Sequence, residues 1–523
     1  MTELLPENRS KGRLAAFLRN RFYEVFCGFP FIVALVFGVI SFFNPDMDGR
    51  RMSLLLVLVF FGLCALWLWF AGEPQGRAGR LWRWLYMPMA VWVCAAAIRI
   101  AWAVHVGPYV EPFSDFDWAY QAALGSTDFI RHHATFPSWG LYVGLIRLVI
   151  NISSPAFISI QIFNALVNSF TVILVYYITL LAAKNFKVAV VAGLMMCFMP
   201  SNILYTSVLS PEIPSLLLLL LVILGMIVTF KPELRLWIRV IILISVGAVC
   251  AVANYLKAVA VIAIIAYVIA QVMYLRKRDT AQVEDKKKPL IKQAAIVGLS
   301  IVLMAVPFLL TTKAINRYVE QELGVSINHS QMSHFLFVGL NTKGEGQIHI
   351  GEYNHMDLEF LAEHDYDYEL TDQWVREFLR RDWSDNYEDI PALFFSKIQW
   401  AWQDDMMPAA YTGQQIDSTN MDSSQVQVIE QYAPSLSQAF YVVFMLLAVV
   451  GSIGIRKQHA DNNGYFLLCM YIFGVALVLL LSEAQSRYKC MVTPVICILS
   501  SVGLETVTKG IKERILHIWE SSH

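Results

Sequence analysis

Ser114-Asp115-Phe116-Asp117 places two carboxylates just beyond an apolar run that ends near residue 104. Holding a carboxylate against a bilayer costs free energy, so such residues usually have a chemical task. An aspartate within hydrogen-bond reach of an attacking alcohol can serve as a general base. Asp115 is the first candidate for that base. Asp117 is the second, because Ser114 and Asp117 at i,i+3 spacing also predict a capping box opening a helix. Far downstream, Glu483-Ala484-Gln485-Ser486-Arg487-Tyr488 lies between two late apolar runs. Arg487 carries a planar fork that matches phosphate oxygens bidentately. Its plain alternative is a snorkelling ion pair with Glu483 one helical turn earlier. Tyr488 offers a ring to a lipid or a sugar.

Lys257, between short apolar segments, is a second candidate phosphate contact or an interface anchor. Glu212, in Ser210-Pro211-Glu212-Ile213-Pro214, supplies a further turn carboxylate, which at the least complements a helix N-terminus. Arg131-His132-His133 are candidates to meet a phosphate or an acceptor. Adjacent histidines cannot face one point on a regular helix, so no metal site is expected there. Trp402, Asp404 and Asp405 are candidate acceptor contacts, a ring stacking on a sugar face while carboxylates bond its hydroxyls; the membrane aromatic belt explains the tryptophan equally. His329, His334, His349, His355 and His364 show no ligand-like pairing and read as solvated surface. No cofactor is required, although Asp115 and Asp117 leave a divalent cation possible. Walker, Rossmann and metal-ligand spacings are missing from the sequence, and no nucleic-acid partner is expected.

These residues need a frame, and composition dictates one. With 523 residues, 57% hydrophobic and 15% charged, the chain is too apolar for a water-soluble protein and reads as all-α and polytopic. Twelve transmembrane helices are predicted near 25–43, 53–71, 85–104, 157–183, 188–208, 213–230, 238–253, 258–275, 292–312, 438–455, 464–482 and 490–507. The first is too long for a signal segment and is expected to stay as an anchor. All eight cysteines fall in apolar segments, so no disulfide framework is implied.

Lys and Arg alternate between loops, with residues 1–24, 276–291 and 508–523 on the basic, cytoplasmic side. The stretch 313–437 is the opposite in character, holding 21 Asp or Glu against 7 Lys or Arg. The expected organisation is therefore a cytoplasmic N-terminus (1–24), helices one to nine (25–312) with a catalytic outer loop at 105–156, a large acidic extracytoplasmic loop of mostly α structure (313–437), three final helices (438–507), and a cytoplasmic C-terminus (508–523). The apolar segment 138–150 is too short to span, and is predicted to lie along the outer interface. Residues 361–381 and 390–402 show helical spacing. The basic run Lys286-Lys287-Lys288 is expected to contact anionic lipid.

An acidic motif in the first major outer loop, an interfacial helix behind it, a second acidic turn, a large late outer loop and Glu483-x-x-x-Arg487-Tyr488 together resemble the GT-C superfamily of membrane glycosyltransferases. The similarity is nearest to bacterial members related to protein O-mannosyltransferases and lipid A aminoarabinose transferases. The resemblance implies an inverting transfer of sugar from a polyprenyl-phosphate donor to a glycan, lipid or protein acceptor on the extracytoplasmic side. It implies Asp115 as base and Arg487 as donor-phosphate contact. Two other classes fit twelve helices: a lipid-linked-glycan transporter or flippase, and a polysaccharide polymerase or ligase. A transporter is expected to show related halves, which this sequence lacks.

Overall fold

A computed structural model describes residues 28–44, 47–280, 287–329, 332–344, 346, 355–415, 421–459 and 462–521. The N-terminal tail 1–24, Cys27, His349 and Lys286 lie outside the described residues. The first helices are α1 (Phe29–Phe42), α2 (Arg50–Phe70) and α3 (Met87–His105), the last preceded by a short turn of helix at Gly76–Leu81. Next come α4 (Ser114–Leu124), α5 (Ile130–Thr135), α6 (Pro137–Ile152), α7 (Phe157–Ala183), α8 (Phe186–Phe198) and α9 (Pro200–Leu204). They are followed by α10 (Glu212–Thr229), α11 (Leu236–Leu256), α12 (Val261–Thr280) and α13 (Lys287–Leu323). The polar region holds α14 (Met332–Leu340), α15 (Met356–Glu363), α16 (Tyr368–Asp385), α17 (Ile390–Trp402) and α18 (Met407–Gln415). The chain closes with α19 (Ser423–His459), α20 (Asn463–Leu481) and α21 (Thr493–Ser521). Among the described residues there is no β-strand.

An α-helix covers most of the described part of each expected apolar run, the run at 188–208 being broken at Met199. Nine helices are individually long and apolar enough to cross a bilayer, and the bent α8–α9 pair makes a tenth. The apolar parts of α1 and α12, Phe29–Phe42 and Val261–Met273, are shorter, as is α6. The protein is an integral membrane protein. At 37 residues each, α13 and α19 run roughly 55 Å against a hydrocarbon core of about 30 Å. Their ends therefore continue past the expected boundaries at 313 and 437, because the flanking residues remain good helix formers. The expected helix over 361–381 is two helices, since Asp365 and Tyr366 turn left-handed at φ 53° and 62°.

The last bundle closes on small residues. A Cβ on Gly451 would sit 2.1 Å from the Leu499 carbonyl oxygen, and one on Gly503 1.9 Å from that of Leu447. Only glycine lets α19 and α21 bring their backbones together so closely, which maximises van der Waals contact where lipid provides no hydrophobic drive.

One span is deliberately broken. Pro200 disfavours helical geometry at Met199 and cannot donate to the Met196 carbonyl, and α8 and α9 meet there at a 53° bend. Unpaired carbonyls in a membrane interior must find donors. Fully buried Arg99 of α3 supplies them, Nη2 donating to the Met196 oxygen at 2.9 Å and Nη1 to the Cys197 oxygen at 3.0 Å. From α7, Asn168 donates to the Asn202 oxygen at 2.8 Å, Asn164 to the Val208 oxygen at 3.1 Å, and Gln161 to the Gly107 and Ser207 oxygens. These side chains hold a broken wall at 199–211, the short α9 and a 3-10 turn at Tyr205–Ser207 followed by extended chain.

Candidate active site

That wall borders a cavity of about 430 Å³ lined by Asn168, Ser201, Asn202, Tyr205, Glu212, Ile213, Asp405, Pro408, Arg487, Cys490 and Thr493. Its opposite side is the segment between α20 and α21. Ser482 leaves the helix in an extended conformation, and Ser486–Met491 form a 3-10 turn. Residues 483 and 487 therefore do not occupy successive turns of one α-helix. The expected Glu483–Arg487 pair is not made. The Glu483 carboxylate instead accepts hydrogen bonds from Gln485 Nε2 and the Tyr488 hydroxyl.

Arg487 is left with its charge directed at the cavity. Among the described residues it forms no ion pair, its Nε is buried without a hydrogen-bond partner, and Nη2 reaches only the Tyr488 hydroxyl at 3.5 Å. Aromatic faces surround it, with Cζ 5.2 Å from the Tyr488 ring centre, 5.9 Å from Phe116 and 6.0 Å from Tyr411. A guanidinium so placed is attracted to the rings and keeps its fork available to an anion.

Glu212 and Lys257 stand beside it. Lys257 Nζ donates to Glu212 Oε1 at 2.9 Å and lies 3.7 Å from the Tyr488 ring centre, while the Ser210 hydroxyl donates to Glu212 Oε2. Asp405 opens the far wall, its Oδ2 buried and unpartnered. Burial raises the Asp405 carboxyl to about 6, against the opposing pull of Lys489. Lys489, absent from the sequence reading, donates to the carbonyl oxygens of Ala401 at 2.8 Å, Ser486 at 3.1 Å and Asp404. It ties the polar helices to the 3-10 turn. Asp404 caps the turn into α18 by accepting from the Met406 amide, and Trp402 is packed into the core at 8% exposure, its carbonyl taking the Tyr441 hydroxyl.

The acidic motif sits at the start of α4, beside this cavity. Phe113 stands at the cap position and its carbonyl accepts from the Phe116 and Asp117 amides at 3.0 and 3.2 Å. The predicted capping box is not formed. Ser114 is left-handed at φ 48°, and Phe113 is pinned between Phe116 and Tyr411 with ring centres 5.1 and 5.2 Å away, so the serine hydroxyl is not positioned as a cap. Asp117 accepts instead from Gln121 at 3.0 Å. Asp115 is not among the cavity-lining residues. Its neighbour Phe116 faces Arg487, while Asp115 Oδ1 lies 3.6 Å from His132 Nε2 with a 38% exposed side chain.

Burial brings His132 down to about 4, with His334 nearby contributing, so it is neutral at physiological pH. Arg131 stacks over Tyr366 at 4.8 Å. His334, expected on the surface, is a correction: it is buried and its Nδ1 is 2.7 Å from Asp357 Oδ2, because α15 folds back against α14. Among the described residues no three His, Cys, Asp or Glu side chains converge as a metal site, and the seven described cysteines are unpaired.

Sequence reasoning passed over Asn168, Asn202, Arg99 and Lys489. A signal existed for the first: Gln161, Asn164 and Asn168 form one polar stripe on an otherwise apolar helix.

The family described as "Conserved hypothetical integral membrane protein" matches residues 13–366, more than half of the chain. The chain belongs to that family. No curated protein matches it in sequence. Among solved structures it is similar to the oligosaccharyltransferase AglB of Archaeoglobus fulgidus, in complex with an inhibitory peptide and a dolichol-phosphate. The identity is 12%, the TM-score 0.42, and the match covers 84% of this chain and 52% of that one. The chain thus spans about half the length of the archaeal enzyme. It is also similar to ArnT of Cupriavidus metallidurans bound to undecaprenyl phosphate, at 12% identity and a TM-score of 0.30, over 80% of this chain and 78% of that one.

Proposed function

We propose that this protein is an inverting glycosyltransferase that moves a sugar from a polyprenyl-phosphate carrier to an acceptor on the extracytoplasmic side. The observation that carries the reading is Arg487, a half-buried guanidinium that makes no direct ion pair among the described residues and stands on the wall of a cavity within a membrane protein. A poorly solvated cation with no carboxylate in direct contact is costly unless an anion completes it. A lipid phosphate does so, and it develops more negative charge as it leaves, so the same contact strengthens in the transition state. Lys257, held at the cavity edge by Glu212, is a second cation within the same neighbourhood.

In this reading the acceptor hydroxyl attacks the anomeric carbon as its proton passes to the Asp115 carboxylate. The bond from that carbon to the phosphate oxygen breaks, and the polyprenyl phosphate departs with the electron pair. The carbon inverts. Asp117, Arg131 and His132 support the α4 side, and Trp402, Asp404 and Asp405 the acceptor side; the termini are cytoplasmic.

Purified protein in proteoliposomes, given polyprenyl-phosphate-linked radiolabelled sugars, tests the proposal. Transfer with release of polyprenyl phosphate is expected. If Asp115→Asn and Arg487→Ala both leave transfer unchanged, the site assignment fails.

A further inference from the structure

Asp115 and Trp118 stand three residues apart in α4, so both lie on one face of that helix, and α5 lays His132 against it. The His132 ring meets the Trp118 ring edge to face, with centres 4.7 Å apart and planes at 81°. His133 at 5.6 Å and Phe136 at 5.1 Å close it in. These neighbours are themselves held. Trp118 stacks on Phe129 at 5.1 Å, and Phe136 packs on His334, which is tied to Asp357. An imidazole enclosed on these sides has its rotamer locked by packing.

In that orientation Nε2 is buried and makes no hydrogen bond, and Asp115 Oδ1 stands 3.6 Å from it. A buried ring nitrogen without a partner costs free energy, and a small approach of the two groups recovers that cost. The gap is about 0.5 Å beyond hydrogen-bond range, and contacts of this kind tighten when substrate enters a site. Burial keeps His132 neutral at physiological pH, so its ring carries one N–H. An ionised carboxylate only accepts, so it selects the tautomer with that proton on Nε2.

Asp115 has a use for such a donor. Its side chain is 38% exposed, and a carboxylate in contact with water samples several directions. A general base needs one direction, with an oxygen in reach of the alcohol. A hydrogen bond on Oδ1 fixes the group and leaves Oδ2 to take the proton.

We propose that His132 is a positioning residue for the reaction, donating from Nε2 to Asp115 Oδ1 and so aiming the carboxylate at the acceptor hydroxyl. The role rests on the transferase reading, in which Asp115 is the base.

Kinetics in proteoliposomes supplied with polyprenyl-phosphate-linked radiolabelled sugars test it. His132→Phe fills the same aromatic enclosure without a donor. It is expected to lower kcat about tenfold, the worth of one hydrogen bond to a charged group, with the donor KM within about twofold. His132→Gln, whose amide nitrogen reaches the place of Nε2, should recover most of that loss. His132→Asn, whose amide stops at the place of Nδ1, should not, and it decides the matter if the Phe variant does not fold. On an Asp115→Asn background His132→Phe should cost nothing further, because it acts through that carboxylate. Where Asp115→Asn abolishes transfer but folded His132→Phe or His132→Asn keeps full kcat, this inference falls and the transferase reading stands. Transfer unchanged by Asp115→Asn overturns both.

Ring-nitrogen NMR on full-length protein grown with labelled histidine tests the contact without any transfer. The signal lost in His132→Gln should be that of a neutral ring protonated at Nε2, and it should shift on Asp115→Asn. A proton on Nδ1, or no shift, overturns the inference whatever the transfer assay gives.

Discussion

Lys257 Nζ sits 2.9 Å from Glu212 Oε1 and 3.7 Å from the centre of the Tyr488 ring, so one ammonium joins the start of α10 to the turn that carries Arg487. Glu212 is 4% exposed in its side chain and Lys257 21%. Breaking one partner of such a pair strands the other charge. Glu212→Gln is expected to lower stability by roughly 2–4 kcal/mol, somewhat under the fully buried case because Lys257 retains some solvent. The double substitution Glu212→Gln with Lys257→Met should recover part of that loss in a detergent thermal melt. A double variant no more stable than the single would show that the pair is not what holds the turn.

Arg487 and Asp115 should fail differently. Arg487→Ala is expected to weaken donor use at least tenfold, seen as a raised KM for the polyprenyl-phosphate sugar. Asp115→Asn should lower kcat by about 10²- to 10⁴-fold while donor binding changes little. Donor titrations under single-turnover conditions separate the two.

Arg99 is expected to be structural. Arg99→Leu leaves the carbonyls of Met196 and Cys197 and the Asn202 side-chain oxygen, which now accepts at 2.6 Å, without their donor. A loss of about 3 kcal/mol or more follows from several unsatisfied buried groups. Stability to denaturing detergent is the measurement; an unchanged transition would mean that the bend at Met199 is held by other contacts.

Asp405 predicts a pH dependence. The folded chain keeps its carboxyl proton to about pH 6, while an unfolded aspartate releases it near 3.8. Protons are thus bound more tightly by the native state, and its stability contribution, present below 3.8, is lost as pH rises to 6. About 3 kcal/mol is at stake by that conversion. Asp405→Asn should therefore flatten the fall in melting temperature between pH 4 and 6.5. An identical pH profile for the variant would contradict the assignment.

The contact of α19 with α21 offers a packing test. Gly503→Ala places a methyl 1.9 Å from the Leu447 oxygen, which requires the helices to separate. A loss of roughly 1–3 kcal/mol is expected, the range for overpacking. Gly510→Ala, with nothing within 4 Å, is the control and should be neutral or better.

Length and hydropathy by themselves determined the membrane-embedded all-α class, the long apolar helices and the helix at 390–402. Each of these follows from short-range burial periodicity, which is written along the chain. Residue type alone also singled out Glu212, Lys257, Arg487 and Asp405, because charges near a bilayer are few.

What only the tertiary structure decided is which of them meet. Glu483 and Arg487 look like a helical pair on paper, yet a 3-10 turn after Ser482 sends the carboxylate to Tyr488 and turns the guanidinium to the cavity. Lys257 and Glu212 lie 45 residues apart and form an ion pair only because α10 and α11 pack together. His334 looked like a solvated surface residue until α14 and α15 buried it against Asp357. Pairing between distant residues is a property of packing, and packing depends on shape and on carbonyls freed at breaks such as Met199, neither of which has a local pattern in the sequence.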